Sequence, residues 1–314
     1  MTQETRIPGA SSYAKRINKL IPRLATGKED VLIVGESGSG RRTLALEIHN
    51  ARGKRKPYIL LDARSAIDIE VRSTITGQDP DEAEAMTGRK PTMVQDGATL
   101  VLADIEVLTP QSQELLIRFF KEGRKRFGNV KVILTLNRAF EQLAQSGALS
   151  HELVPFLEKC ELVEVPALRE RVEDIPALAE TISARLCASF GVPPKSLSPN
   201  VSHVLSQGQW LGNIQQLVSV MGKAVLTSRG GELDLPADFL DEHQHLEDAL
   251  VSIASSKPFI LDQSLDLIEK LLIQRALRQF QYNQSKTASI FGLSEANFRY
   301  RLKKFGLPSI RRKV

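Results

Sequence analysis

A glycine-rich stretch near the start of the chain has the spacing of a phosphate-binding loop. Its eight residues are Gly35, Glu36, Ser37, Gly38, Ser39, Gly40, Arg41 and Arg42. The apolar run at residues 31–34 precedes it and a helix-forming segment at residues 43–49 follows it. Strand, loop and helix in this order place backbone N–H groups at a helix N-terminus, where they converge on an anion.

Two arginines stand where such a loop normally carries its lysine and its hydroxyl. Arg41 takes the place of the lysine that reaches the β- and γ-phosphates, and Arg42 that of the Ser or Thr that holds Mg²⁺. A guanidinium is planar and bulky, so it does not replace the compact charge of an ammonium group. The N–H groups of residues 38–41 could still hold a phosphate, and Arg41 could pair with it through two hydrogen bonds. We expect the loop to keep its shape without its usual chemistry.

Positive charge is concentrated at the C-terminal end of the chain. Residues 264–314 contain eleven Lys and Arg against three Asp and Glu, a net charge of +8, while the preceding residues contain 31 against 34. A basic end on a nearly neutral body indicates a contact with nucleic acid.

The same end has the pattern of a helix-turn-helix. A short helical segment, residues 284–291, ends at Gly292, and Ser294 is placed to cap the following helix. Phe298 and Leu302 lie four residues apart and are predicted to face inward. Glu295, Asn297 and Arg299 can then read base edges, and the basic residues further along can hold phosphates. The predicted DNA-binding residues are Ser294, Glu295, Asn297, Arg299, Tyr300, Arg301, Lys303 and Lys304.

A broad apolar stripe over residues 264–280 precedes this motif. One small three-helix module does not bury all of it, so we expect the stripe to form a dimer seam. The predicted partner is double-stranded DNA with an inverted repeat, bound by a homodimer or a higher oligomer.

Apolar runs that alternate with helical patterns predict the α/β core that positions the loop. The predicted strands are residues 31–34, 58–61, 99–102, 130–135 and 161–165, with an entry helix at residues 13–24 and a helix from Pro110 to Lys121 capped by Thr109. Such alternation is typical of a parallel sheet covered on both faces. We predict an α/β subdomain over residues 1–171, a helical lid over 172–230, a linker with one short helix at 241–252 within 231–262, and the helix-turn-helix domain over 263–314.

Composition describes an ordinary globular chain of 314 residues, with 42% hydrophobic and 25% charged residues. No apolar run approaches the ~20 residues of a membrane span, and the N-terminus lacks the apolar segment of a signal peptide. Two cysteines make neither a disulfide framework nor a zinc site. We expect a cytoplasmic protein without metal and without a membrane contact.

The chain resembles the bacterial enhancer-binding proteins of the NtrC type, which join an AAA+ ATPase domain to a Fis-type helix-turn-helix. The resemblance covers most of the chain and rests on four segments. They are the loop at residues 35–42, Leu136-Asn137-Arg138 at the sensor I position, the stretch from Pro166 to Pro176, and the stretch from Trp210 to Leu217. The resemblance adds Asp104 and Asn137 to the degenerate nucleotide-binding set.

Several positions depart from what the resemblance implies. The aspartate and glutamate that hold Mg²⁺ and polarise water fall on Ala103 and Asp104, and the two arginine fingers fall on Ser150 and Phe156. The sensor II arginine falls on Gln215. The GAFTGA loop, which engages sigma-54 in the family, survives only as Ala85-Met86-Thr87-Gly88-Arg89. Because phosphoryl transfer depends on placed charge, these coincident losses favour a pseudo-ATPase over drift at single positions.

We therefore expect a sequence-specific DNA-binding transcription regulator whose AAA+ domain is catalytically inactive and serves as an assembly or ligand-sensing scaffold. RNA polymerase or an active AAA+ relative are candidate partners. One alternative is an active ATP-hydrolysing sigma-54-dependent activator that uses Arg41 and Asp104. Another is a sensor of a nucleotide second messenger that controls DNA binding, since some relatives bind a cyclic dinucleotide. No cofactor is required by this interpretation, and ATP, ADP or a cyclic dinucleotide stays open as a ligand.

A polar segment and a pair of arginines carry two further local predictions. The polar segment at residues 73–91 lacks an evident apolar anchor and is predicted to be a long, mobile loop. Arg169 and Arg171 are predicted to pair with their acidic neighbours Glu170, Glu173 and Asp174.

Overall fold

The computed structural model describes residues 7–122, 127–235, 269–270, 273, 276–277 and 283–307. The chain forms two compact units, residues 1–236 and 237–314. The predicted helix at 241–252 and most of the apolar stripe at 264–280 lie outside the described residues. Within the described ranges, no helix has both the length and the apolar character needed to cross a bilayer.

A five-stranded parallel sheet forms the centre of the first unit. Its strands are β1 (Val31–Val34), β2 (Tyr58–Asp62), β3 (Thr99–Ala103), β4 (Lys131–Leu136) and β5 (Glu161–Glu164). The order across the sheet is β2-β3-β4-β1-β5, and each neighbouring pair is parallel. The five predicted strands are confirmed with ends that differ by one residue at most. Parallel order brings the carboxyl ends of β1, β3 and β4 to one edge, where the glycine-rich loop begins.

Helices cover both faces of this sheet. They are α1 (Ser12–Thr26), α2 (Arg41–Gly53), α3 (Asp68–Thr76), α4 (Pro80–Thr87), α5 (Pro110–Lys121), α6 (Phe140–Gln145) and α7 (Val154–Leu157). Ile17 of α1 and Ile48 of α2 share one core cluster with Ile33 of β1. Ile75 of α3 and Leu116 of α5 lie in the cluster on the other face. The expected two-sided α/β architecture is confirmed.

The predicted start of α5 is also confirmed. Thr109 is the N-cap, and its side-chain oxygen accepts a hydrogen bond from the backbone N–H of Ser112 at 3.1 Å. Pro110 occupies the first helical position, where its missing N–H costs nothing.

The prediction of a long loop over residues 73–91 is wrong. This segment contains the end of α3, in which Ile75 is buried, and then the whole of α4, in which Ala83 is buried. Pro80 opens α4, acidic residues fill its first turn, and Gly88 ends it with a φ of 68°. These are ordinary start and stop signals of a helix, and they outweigh the polar composition on which the loop prediction rested.

Three helices follow the sheet and form the lid: α8 (Ile175–Phe190), α9 (Pro199–Ser206) and α10 (Asn213–Thr227). Trp210, fully buried, precedes α10 and donates its indole N–H to the carbonyl of Leu205 at 2.8 Å. The prediction that strands give way to helices after residue 172 is confirmed.

The second unit contains the predicted pair of helices, α11 (Gln284–Ile290) and α12 (Glu295–Lys304). Residues 269, 270, 273, 276 and 277 are also helical. Ile273 and Leu277 from this earlier segment share a core with Phe298, Leu302 and Leu307.

Candidate functional site

The glycine-rich loop has the backbone that the sequence predicts. It connects β1 to α2, and Gly38 and Gly40 adopt left-handed φ angles of 76° and 106°. A Cβ on Gly38 would lie 2.6 Å from the carbonyl oxygen of Gly212, so a side chain at this position would collide with the lid. The loop shape is thus kept, and the lid contacts it directly.

Arg41, in the lysine position, does not face an open cradle. Its side chain is only 6% exposed, and its Nη2 lies 2.7 Å from Oδ1 of Asp104. Asp104 follows β3 with a φ of 58°, and its backbone N–H donates to the Thr135 hydroxyl at 2.9 Å. Arg41 and Asp104 therefore form a buried ion pair that spans the edge of the sheet.

The second oxygen of Asp104 meets two further guanidinium groups. Oδ2 accepts from Nε of Arg64 at 2.6 Å and from Nη2 of Arg42 at 3.2 Å. Arg42 also pairs with Asp62, with Nη1 to Oδ2 at 2.6 Å and Nη2 to Oδ1 at 2.7 Å. We call Arg41, Arg42, Arg64, Asp62, Asp104 and the nearby buried Glu106 the ion-pair cluster.

Burial and neighbouring charges shift the pKa values of the ion-pair cluster, and for Asp104 they act in opposite directions. Burial raises the pKa of Asp104, but the hydrogen bond from Arg64 and the charges of the three arginines together leave this pKa below its usual value. Burial lowers the pKa of Arg41, although an arginine stays charged at neutral pH. Burial also raises the pKa of Glu106, and nearby Asp104 adds to that rise. Three cations face three carboxyl groups, so with Glu106 ionised the cluster is neutral without any ligand.

Glu36 of the loop is hydrogen-bonded to Arg169 and to Asn213, the first residue of α10. Its two oxygens accept from Nη1 and Nη2 of Arg169 at 2.9 and 2.5 Å, and Nδ2 of Asn213 donates to it at 3.0 Å. The Arg169 hydrogen bonds are the main cause that lowers the pKa of Glu36 to about 2. The expected pairing of Arg169 with its acidic neighbours is wrong, because the adjacent Glu170 instead accepts from the backbone N–H of Ala167.

Arg171 likewise has a different partner from the one predicted. It is buried, its Nη2 donates to the carbonyl of Ser39 at 2.5 Å, and its guanidinium lies 4.9 Å from the centre of the Tyr13 ring. Asp174 accepts instead from the N–H and the hydroxyl of Ser11, each at 2.8 Å. Asp174 is thus hydrogen-bonded elsewhere, and Arg171 supports the loop.

Asn213 joins the lid to the loop. Its Nδ2 donates to the carbonyl of Ser37 at 3.0 Å, while its Oδ1 accepts from the N–H of Leu168 at 2.8 Å. The next residue, Ile214, donates its N–H to the carbonyl of Gly38 at 3.0 Å. Sequence reasoning recognised this segment but gave Asn213 no role in the site.

Two open cavities flank the loop. One, of about 380 Å³, lies at the ends of β1, β4 and β5, and both Glu36 and Asn137 line it. The other, of about 310 Å³, lies between Ser37 and the start of α10 and is lined by Gln215. In the described part of the chain, no three His, Cys, Asp or Glu side chains are grouped so that they could hold a metal ion.

Sequence reasoning missed Asp62, Arg64 and Glu106 as members of this region. Asp62 and Arg64 follow β2, and β2 lies beside β3, which ends next to Asp104. Parallel pairing of β2 with β3 could have indicated that Asp62 and Arg64 lie near Asp104. Glu106 carried no signal, since an acid after a strand is normally exposed.

The helix-turn-helix has the predicted local geometry. Gly292 has a φ of 63°, and the Ser294 hydroxyl accepts from the N–H of Asn297 at 3.3 Å. Phe298 and Leu302 are fully buried, as predicted. The outward residues of α12 include Tyr300, which is 69% exposed.

Several of the predicted DNA-binding side chains contact one another or nearby helices. Nη2 of Arg299 donates to Glu295 at 2.8 Å, and Arg301 forms an ion pair with Glu269. Nζ of Lys304 lies 5.0 Å from the centre of the Phe305 ring. Asn297 and Lys303 are exposed on the same helix. The structure thus brings the predicted set together on one helix, while its roles toward bases and phosphates stay predictions.

A parallel P-loop sheet with a helical lid, followed by a capped helix-turn-helix, defines a AAA+ transcription regulator. Sequence comparison agrees: residues 7–163 match the Sigma-54 interaction domain, residues 169–250 the AAA+ ATPase lid domain, and residues 264–305 the Fis family of bacterial regulatory proteins. The chain belongs to the NtrC-type family of sigma-54-dependent, DNA-binding transcription regulators.

Individual relatives cover the chain almost completely. It is 29% identical to the phenol regulator MopR of Acinetobacter guillouiae over 95% of its own length, but spans only 56% of MopR. It is 30% identical to the Psp operon transcriptional activator of Escherichia coli, over 94% of this chain and 96% of that protein. The crystal structure of NtrX from Brucella abortus has the same fold, with a TM-score of 0.64 at 23% identity over 96% of this chain and 70% of NtrX.

Proposed function

We propose that this protein is a sequence-specific DNA-binding transcription regulator whose AAA+ unit does not hydrolyse ATP and acts as a scaffold for assembly or ligand sensing. The observation that carries the proposal is the buried ion pair between Arg41 and Asp104. The residue that should reach a phosphate is bound to the carboxylate that should act on water.

The electrostatics of the ion-pair cluster support the proposal. A nucleotide-binding loop needs positive charge left free for the phosphates, whereas here each arginine of the cluster already faces a carboxylate. Breaking a buried pair of this kind costs about 3–5 kcal/mol. A nucleotide that must first separate Arg41 from Asp104 would bind more weakly by about two to four orders of magnitude.

The side chains also do not fit a nucleotide-bound Mg²⁺. Arg42 stands where a hydroxyl would hold the ion, and its guanidinium is bonded to Asp62. The Ala103 side chain has no ligand atom, and both oxygens of Asp104 face arginines, with Oδ1 in an ion pair with Arg41 and Oδ2 accepting from Arg64. Ser150, Phe156 and Gln215 lack the guanidinium groups that the family resemblance implies at these positions.

The test is ATP turnover by the 314-residue chain. We expect the rate to equal that of a buffer blank, whereas turnover near ~1 s⁻¹, in the usual enzyme range, would support the active-ATPase alternative. A variant with Arg41→Lys alone should stay inactive, because the arginine fingers are still missing.

Calorimetry separates nucleotide binding from turnover. We expect no heat of binding with MgATP for the parent protein, and measurable binding for a triple variant that carries Arg41→Lys, Arg42→Thr and Ala103→Asp. The triple variant should still not turn over ATP. Titration with cyclic dinucleotides tests the sensor alternative, which would be favoured by binding that changes DNA affinity.

The segment at residues 85–89 supports a proposal about the class of promoter. The sigma-54 contact loop of the family is reduced there to the end of α4 and its Gly88 cap. We propose that the protein acts at promoters read by RNA polymerase with other sigma factors, or together with an active AAA+ relative. In vitro transcription with sigma-54 polymerase tests this, and activation by the protein alone would contradict it.

A further inference from the structure

We infer that Glu295 is a positioning residue that orients Arg299 for base reading, and that it does not itself read a base. The inference deepens the proposed DNA-binding function and rests on it. Sequence alone placed Glu295 among the residues that contact bases, because a carboxylate can accept from cytosine.

The contacts of Glu295 are directed toward the protein. Oε1 accepts from the hydroxyl of Ser285 at 2.5 Å, and Oε2 accepts from Nη2 of Arg299 at 2.8 Å. Ser285 belongs to α11, and Glu295 is the first residue of α12. One carboxylate therefore links the two helices of the motif and fixes the end of the Arg299 side chain.

The size of these interactions shows that stability is not their main effect. Arg299 and Glu295 are 59% and 52% exposed, and an exposed pair four residues apart on a helix contributes only about 0.3–0.5 kcal/mol. A carboxylate on a surface that faces DNA is also repelled by the phosphates. A carboxylate at position 295 is explained if it orients the guanidinium of Arg299, because a contact with guanine through two hydrogen bonds requires the guanidinium plane to be fixed.

Arg301 provides a contrast on the same helix. Its guanidinium pairs with Glu269, a residue of the helical segment that precedes α11. Leu302, next to it, is buried in the core of the unit. Of the two arginines, only Arg299 is held by a partner on the outward side of α12, so the orienting contact is specific to the residue predicted to read a base.

The experiment uses the 314-residue chain to select bound sequences from a random duplex library. Competition titrations then compare the preferred site, its single-base variants and random DNA. Arg299→Ala defines the base pair that this arginine reads. We expect Glu295→Ala to lose about tenfold in preference at that same base pair, the size of one lost two-hydrogen-bond contact.

The double variant distinguishes positioning from direct reading. If Glu295 acts through Arg299, Glu295→Ala combined with Arg299→Ala should lose no more than Arg299→Ala alone, because coupled residues are not additive. Affinity for random DNA should stay the same or rise, since a negative charge is removed. A change at a different base pair, or two losses that multiply, would overturn the inference.

Two more variants guard against a purely structural effect. Glu295→Gln retains an acceptor for Ser285 but not the charge that holds Arg299, so it should show most of the loss at the same base pair. If circular dichroism shows that Glu295→Ala does not fold, Ser285→Ala replaces it in the test. We expect Ser285→Ala to lose less of the preference at that base pair, and an unchanged preference would overturn the inference. A parent protein with no sequence preference would instead refute the proposed function itself.

Discussion

Substitution of Asp104 by Asn tests the ion-pair cluster most directly. The change removes the negative charge but keeps the shape, and Asn tolerates the left-handed backbone at this position, where φ is 58°. Arg41 would then be a buried cation that has lost its ion-pair partner, with the carboxyl group of Glu106 still nearby. The Asp104 side chain is 4% exposed and that of Arg41 is 6% exposed, so water cannot replace the lost partner.

The expected loss follows from these exposures. Removing one partner of a buried ion pair lowers the free energy of unfolding by about 3–5 kcal/mol. Arg42 and Arg64 are 42% and 46% exposed, so each of their pairs with Asp104 adds at most about 1 kcal/mol. For a unit of this size the summed loss of about 3–7 kcal/mol corresponds to a melting temperature lower by about 6–28 °C.

Trp210 makes the measurement specific to the first unit. It is the only tryptophan of the chain and is fully buried in the lid, so its fluorescence reports thermal unfolding there. Asp62→Asn is the matched control, because it removes the charge that pairs with the half-exposed Arg42, keeps an oxygen that can accept from the backbone N–H of Arg64, and should cost about 1 kcal/mol.

A double variant checks the cause. Arg41→Met with Asp104→Asn removes both charges and should recover much of the loss, since an uncharged replacement of a buried pair is often neutral. If Asp104→Asn melts at or above the temperature of the parent, the pair contributes nothing. Asp104 would then resemble a carboxylate kept for a ligand, and the reasoning behind the scaffold proposal would be refuted.

Three further predictions concern pH, salt and hydrogen exchange. The raised pKa of Glu106 means that the folded state binds this proton more tightly than the unfolded chain, so stability falls as pH rises from the ordinary glutamate pKa through the raised value. Glu106→Gln should therefore be more stable than the parent protein at pH values above this range and equally stable below it. A variant that melts at a lower temperature than the parent above this range would contradict the prediction. Lys303→Ala should weaken binding to all DNA sequences alike and reduce the salt slope by about one unit; a loss confined to one sequence would show a base contact instead. Amides of α4, with Ala83 as its buried residue, should exchange before those of α3, which has four buried residues, and equal protection by mass spectrometry would refute this.

The sequence by itself determined the features that depend on neighbouring residues. The strands were recognisable as short apolar runs between turn signals, and Thr109 and Ser294 marked helix starts because a cap acts within three residues. The helix-turn-helix was predictable from Gly292 and the spacing of Phe298 and Leu302 for the same reason. Helix α4 was missed although Pro80 and Gly88 signalled it, since its composition was given more weight than its caps.

Only the tertiary structure decided which charges meet. Sequence identified Arg41 and Asp104 as departures from a nucleotide site, but their pairing depends on strand order, which brings the ends of β1 and β3 to one edge with β4 between them. The partner of Arg169 was likewise a loop residue far away in the chain, not the acid beside it. An ion pair forms where the fold places two side chains within a few ångströms of each other, and proximity along the chain does not fix that distance.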